Sequence, residues 1–210
     1  MLILSLDTAT DVSTACVSAD GRVTAESAVR GRSTSAQRSL EQVHELLQRA
    51  GVDAADLDLI VAGRGPGTFT GLRIGLATAR ALGYSLGVPV RGVCTLDALL
   101  AGDGVQVACI DARRGEVFAA GAGVDPCAID PAELTGRLAP GTVVAGDGAV
   151  RHRAVLAGLE IPPDDSPLHI PAARHHAALV ATAGPPEPIY LRAPDADRVL
   201  PPVPAGGAAA

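Results

Sequence analysis

The chain has 210 residues, 48% of them hydrophobic and only 2% aromatic, with a formal net charge of −6. That suffices for one large core or two small ones built from aliphatic side chains. Residues 1–100 carry 9 arginines against 10 carboxylates (net −1) and residues 101–210 carry 8 against 13 (net −5); with no basic run, strong nucleic-acid binding by this chain alone is excluded. The four cysteines have no metal-ligand spacing, and Cys16 and Cys109, set in apolar strand patterns, read as small buried hydrophobes. No apolar run reaches the ~18 residues of a membrane span, and the first ten residues lack the basic start of a signal peptide. A cytoplasmic protein is expected.

An apolar strand over 2–6 ends in Asp7-Thr8-Ala9-Thr10. Strands over 13–18 and 22–28 follow, joined by an Asp20-Gly21 hairpin turn. Residues 35–50 read as a helix whose apolar stripe is Ala36, Leu40, Val43, Leu47 and Ala50, stopped by Gly51. A strand over 57–62 enters a glycine-rich turn, 63–67, and a helix over 70–86 that Thr68 or Thr70 can cap. Along this helix Gly71, Gly75, Ala79, Gly83 and Gly87 recur every fourth residue. An interior glycine costs a helix about 1 kcal/mol relative to alanine, so the row needs a compensating close approach. A second row, Arg73, Ala77, Arg80 and Tyr84, is more polar and faces solvent or a partner.

The turn and helix permit two readings. The helix N-terminus can cradle a phosphate, or the segment is a tight strand-to-helix connection with a small-residue packing face. The absence of a Walker Lys-Ser/Thr and of GxGxxG spacing favours the second.

After a short strand (88–93) and a helix capped by Thr95, the pattern restarts. An apolar strand over 105–110 ends in Asp111-Ala112, and Arg113-Arg114-Gly115 turns the chain into a strand over 116–122. Asp130-Pro131 starts a helix, 143–145 is a strand, and 149–157 and 172–183 are helices. Strand-Asp followed by a hairpin, and Val-Ala-Gly-Xaa-Gly at 61–65 and 144–148, recur in the same order, which suggests duplicated α/β units. From residue 193 proline and alanine dominate without periodicity, and a mobile tail is expected.

For chemistry, Asp7 with Thr8 and Thr10, faced by Asp111 across a cleft, could hold a Mg-phosphate; equally, both carboxylates could bond their own turns. His44 has no second ligand at i+4, and the adjacent His175 and His176 point about 100° apart, so a zinc site is not expected. No Gly-Xaa-Ser-Xaa-Gly elbow supports a serine hydrolase.

LSLDTAT (4–10), GRGPGTFTGLRIG (63–75), GVCTLDAL (92–99), IDARRGEVF (110–118) and EPIYLR (187–192) resemble the bacterial TsaB family, also called YeaZ. The resemblance implies an α/β, actin-like ATPase (ribonuclease-H-like) fold of two lobes. These are a partner-binding first lobe, 1–101, and a reduced second lobe, 102–193, ahead of a flexible Pro/Ala-rich tail, 194–210. It implies a non-catalytic subunit of the complex that forms N6-threonylcarbamoyladenosine at position 37 of tRNAs reading codons that begin with A. The implied partners are TsaD, in a heterodimer, and TsaE. The free chain pairs with itself, and tRNA is reached only through the complex. No intrinsic cofactor is implied, with ATP or ADP at the TsaD junction. TsaD-type metal binding uses a His-Xaa-Xaa-Xaa-His pair on the first-lobe helix, where this chain has only His44.

The alternative is an active ATPase or kinase of the same fold, which Asp7 favours and the short 144–149 loop opposes. The expected partner surface is a helical bundle built on Leu40, Val43 and Leu47 of one helix and Gly71, Leu72, Gly75, Ala79 and Gly83 of the other. The same row could instead face the lobe's own sheet. The candidate phosphate contacts are Asp7, Thr8 and Asp111.

Overall fold

A computed structural model describes residues 1–31 and 36–192. The expected tail, 194–210, and Ser35, the first residue of the expected first helix, lie outside the described residues.

The first sheet begins with β1 (Leu2–Asp7), β2 (Val12–Ala19) and β3 (Arg22–Arg30), an antiparallel meander. The turn between β2 and β3 is made by Asp20 and Gly21, both at positive φ, as a tight hairpin requires. Helix α1 (Ala36–Ala50) crosses back, and β4 (Leu59–Gly63) joins β1 in parallel. Helix α2 (Phe69–Leu86) then returns the chain to β5 (Val90–Val93), parallel to β4. The strand order is β3-β2-β1-β4-β5.

Leu4, Leu6, Ala15, Val17, Ile60 and Ala62 point to one face of this sheet. There they meet Val43, Leu46 and Leu47 of α1 and Leu72, Leu76 and Ala79 of α2 in one core. The period of 2 along the strands and 3.6 along the helices aligns these residues on a shared layer.

Helix α3 (Thr95–Leu100) leads to β6 (Val107–Asp111), β7 (Val117–Gly121), β8 (Val124–Ile129), α4 (Pro131–Arg137), β9 (Val144–Ala145), α5 (Asp147–Arg151) and α6 (Ala173–Ala178). The second sheet, β8-β7-β6-β9, repeats the first, with an antiparallel meander followed by a strand parallel to its leading one. Among the described residues, the place of β5 beside β9 is taken only by a parallel bridge between Val143 and Glu160, so the second lobe is the smaller one. The two strand-Asp echoes end β1 and β6, and the two Val-Ala-Gly echoes run through β4 and β9.

Several elements differ from expectation. The division at 101/102 is crossed in both directions. Leu96 and Leu99 of α3 pack on Ala108, Ile110 and Phe118 of the second sheet. The chain after β9 returns to the first sheet, where Ala173 O accepts from Ser5 Oγ (2.7 Å) and Pro171 O from Thr14 Oγ1 (2.9 Å). The helices expected over 149–157 and 172–183 are shorter, α5 and α6, the latter followed by a 3-10 turn, Val180–Thr182. Cys94, not Thr95, is the N-cap of α3.

Candidate functional site

The end of β1 carries Asp7, which is 0% exposed. Its Oδ1 accepts from Ala9 N (2.6 Å) and its Oδ2 from Thr95 Oγ1 (2.8 Å). His176 of α6, also 0% exposed, brings Nε2 to 2.8 Å from the same Oδ2, at ion-pair distance but off the hydrogen-bond line. Gly63 at the end of β4 presses its Cα against this carboxylate so closely that a Cβ there would overlap it. Thr8 is equally interior, its Oγ1 donating to Gly71 O of α2 (2.7 Å). Both residues were candidate phosphate contacts, and the structure places both beneath the surface with partners from their own lobe.

Asp111, the matching carboxylate at the end of β6, is 6% exposed. Its Oδ1 accepts from Arg113 N of its own turn (2.9 Å), and its Oδ2 is paired with the guanidinium groups of Arg113 (3.1 Å) and Arg151 (3.3 Å). Arg113 also reaches Asp11 of the first lobe (3.2 Å), so an ion-pair chain closes one side of the space between the lobes. A Mg-nucleotide, which the fold implies, needs carboxylates free to meet a hydrated cation. Asp7 is sealed and Asp111 is spanned by two arginines, so the residues present do not fit that group.

Asp147 at the start of α5 completes this cluster by accepting from Asp111 N (3.0 Å). Burial pushes its carboxyl up to about 6, helped by the like charges of Asp111 and Asp11 and opposed by the N–H groups of Asp111 and Gly148. Unfolded, the group titrates near ~4. A raised acid therefore costs stability while ionised, and the cost is relieved as pH falls from about 6 toward 4. Asp147→Asn, which keeps an acceptor for Asp111 N, is expected to stabilise the chain by about 1–2 kcal/mol well above pH 6. The gain should shrink toward pH 4. Thermal melts of both forms across that range check it, and a constant difference would exclude burial of the charge as the cause.

On the other side of the Arg113 turn lies a groove of about 560 Å³. Phe69 and Arg73 of α2, Arg113, Arg114 and Phe118 of the second lobe, and the 189–192 segment line it. Ile189 N donates to Arg64 O of the first lobe (2.7 Å), while Arg192 donates to Ala112 O (2.9 Å) and pairs with Glu116 of the second. This segment therefore straps the lobes together.

The expected partner-surface residues fall mostly inside the first lobe. Val43, Leu47, Leu72 and Ala79 are core residues, and Gly71, Gly75 and Gly83 are buried. A Cβ at Gly71 or Gly75 would overlap Thr8, and one at Gly83 would overlap Val90. The small row thus lets α2 lie directly on the β1–β2 connection and β5, which corrects its assignment to a partner. Of the eight residues only Leu40, 45% exposed, keeps an open side chain. The second row, Arg73, Ala77, Arg80 and Tyr84, is exposed throughout, with Tyr84 at 93%.

Residue reading missed His176, whose neighbour His175 turns to Ala98 O instead (2.8 Å). It also missed His169, whose Nδ1 accepts from Gly146 N (3.1 Å). Among the described residues no cluster of three or more His, Cys, Asp or Glu could hold a metal, and no helix is long and apolar enough to cross a membrane.

Residues 28–142, more than half the chain, match the family model described as TsaD: tRNA N6-adenosine threonylcarbamoyltransferase. An uncharacterised protein of Mycobacterium tuberculosis is 39% identical over 201 residues, covering 92% of this chain and 93% of that one. The tRNA threonylcarbamoyladenosine biosynthesis protein TsaB of Escherichia coli is 38% identical over 124 residues, covering 56% of this chain and 53% of that protein. The match thus spans about half the length of that relative. The structure of YeaZ from Pseudomonas aeruginosa superposes with a TM-score of 0.73 at 25% identity, over 90% of this chain and 99% of that one. The fold is accordingly the α/β, actin-like ATPase fold with two ribonuclease-H-like lobes.

Proposed function

We propose a function from one premise: the chain belongs to the TsaB (YeaZ) family. It acts as a non-catalytic subunit in forming N6-threonylcarbamoyladenosine at position 37 of tRNAs reading codons that begin with A. Its partner is the transferase, TsaD. TsaE joins the pair, ATP or ADP sits at the junction with TsaD, and the free chain pairs with itself.

The observation that carries this reading is the sealed Asp7. An ATPase or kinase of this fold needs that carboxylate open to a metal-bound phosphate. Here Thr95, Ala9 N and His176 occupy its oxygens and the residue has no exposed surface. What remains for the chain to offer is surface. Leu40 of α1 is open, and the exposed row of α2, Arg73, Ala77, Arg80 and Tyr84, offers a largely polar face with one small and one aromatic member to a second helix pair. Tyr84 is its natural anchor, because a large ring with a polar tip gains most from burial at an interface.

Reconstitution of threonylcarbamoyl transfer with and without this chain tests the role. Transfer is expected to fall to background when the chain is left out, and the chain alone is expected to turn over no ATP. Tyr84→Asp should weaken co-elution with TsaD by roughly tenfold or more while melting is unchanged. Full transfer without the chain, or steady ATP hydrolysis by it, would overturn the reading.

A further inference from the structure

The groove between the lobes holds an unusual share of the chain's chemistry. The chain has two Phe, two Tyr and no Trp, and three of these four rings line this one groove. Phe69 and Tyr190 are 52% and 46% exposed, with ring centroids 5.9 Å apart and planes inclined by 32°. Arg73 backs them, its guanidinium carbon 3.6 Å from the centre of Phe69 and its Nε donating to Tyr190 OH (3.3 Å). Two open rings steadied by a cation form a platform rather than a core, since core rings would be covered.

Four arginines and a single carboxylate, Asp111, line the same groove in a chain whose net charge is −6. Arg113 and Arg114 sit at the tip of the β6–β7 hairpin with φ of 62° and 57°. That left-handed backbone favours Gly, Asn or Asp, so arginine at both positions is not explained by the turn. Arg113 spends single bonds on Asp111 and Asp11, and a guanidinium has five donors.

We propose that this groove takes an unpaired nucleotide of an RNA strand, its base stacked on Phe69 and Tyr190 and its phosphate met by Arg113 and Arg114. The inference rests on the tRNA-modification reading above and deepens it by giving the chain an RNA contact of its own. The lining of the groove favours a strand over a free nucleoside polyphosphate. The polyphosphate brings a metal that needs open carboxylates, and Asp111 is spanned by two arginines. A phosphodiester carries one charge and needs no metal. It favours RNA over an acidic peptide because paired exposed rings recognise the face of a base. The contact is weak by itself, since few phosphates are met and the rest of the chain is acidic.

Fluorescence anisotropy of a short labelled oligoadenylate with the full chain at low salt tests it. Saturable binding weaker than about 1 μM is expected. Phe69→Leu and Tyr190→Leu, which keep bulk but lose the aromatic face, should each weaken binding at least about fivefold with unchanged melting. Arg114→Ala should weaken binding and reduce the log–log salt slope by about 0.7, whereas Arg137→Ala, an equal charge loss on α4, should do neither. No saturable binding, or unchanged binding in Phe69→Leu and Arg114→Ala, would overturn the proposal. AMP binding as tightly as the oligonucleotide would also overturn it, assigning the groove to a free nucleotide. Because the isolated chain is measured, this result is independent of transfer in the reconstituted complex: either can fail while the other holds.

Discussion

Asp7→Ala is expected to destabilise the first lobe by about 3–5 kcal/mol, the cost of leaving one member of a buried pair without its partner. His176 makes the cost large. Its Nδ1 lies 3.2 Å from Ala172 O, and a carbonyl only accepts, so Nδ1 carries a proton. Its Nε2 faces the Asp7 carboxylate, 2.8 Å from Oδ2. Without Asp7, a polar ring at 0% exposure faces an empty space, and Thr95 Oγ1 and Ala9 N lose their acceptors. Asp7→Asn fills the space and retains an acceptor, and should cost less than alanine. Urea denaturation of the three forms, with unchanged m-values, measures this. The outcome separates two roles that one carboxylate can have in this fold. A structural Asp7 loses stability on substitution and has no turnover to lose. An Asp7→Ala variant that melts normally and abolishes ATP turnover would identify a catalytic carboxylate instead.

Much of this architecture could be read in the chain because the two lobes repeat a pattern of period and punctuation. Apolar strands closed by Asp7 and Asp111, and the Val-Ala-Gly strands, survive as β1, β6, β4 and β9. Asp7–His176 could not be read. The carboxylate comes from β1 and the imidazole from α6, far apart in the chain, and nothing local marks either as buried. Strand β8 escaped for a different reason. Pro126 lies within it, and proline argues against a strand unless that strand is an edge. β8 is an edge, as the order β8-β7-β6-β9 has it, but edge status belongs to the assembled sheet and not to the segment. Thr95 likewise matches a helix cap by type, yet its hydroxyl serves Asp7. The small row of α2 was legible as a close approach. Its direction was not, because a four-residue repeat says which residues share a face and leaves open what lies opposite.

The second large effect follows from that direction. Gly71→Ala and Gly75→Leu are each expected to lower the melting temperature sharply, by the equivalent of about 1–3 kcal/mol or more. For Gly71→Ala helix propensity predicts the opposite, a gain of about 1 kcal/mol. Sterics outweigh it. A Cβ at Gly71 would overlap Thr8 O, and a backbone carbonyl cannot retreat as a flexible side chain can. At Gly75 the obstacle is Thr8 Oγ1, which already donates to Gly71 O (2.7 Å). Rotating it away breaks a buried hydrogen bond, and the rest of a leucine must still enter beside Leu6. Ala77→Leu supplies the contrast, because Ala77 lies on the exposed row of the same helix. It should leave melting within a few tenths of a kcal/mol while altering the face offered to a partner. Melting curves for the three variants, read beside co-elution with TsaD, decide which row is core and which is contact. If Gly75→Leu melts like the parent chain and only pairing is lost, α2 lies with its small row outward and the packing described above is reversed.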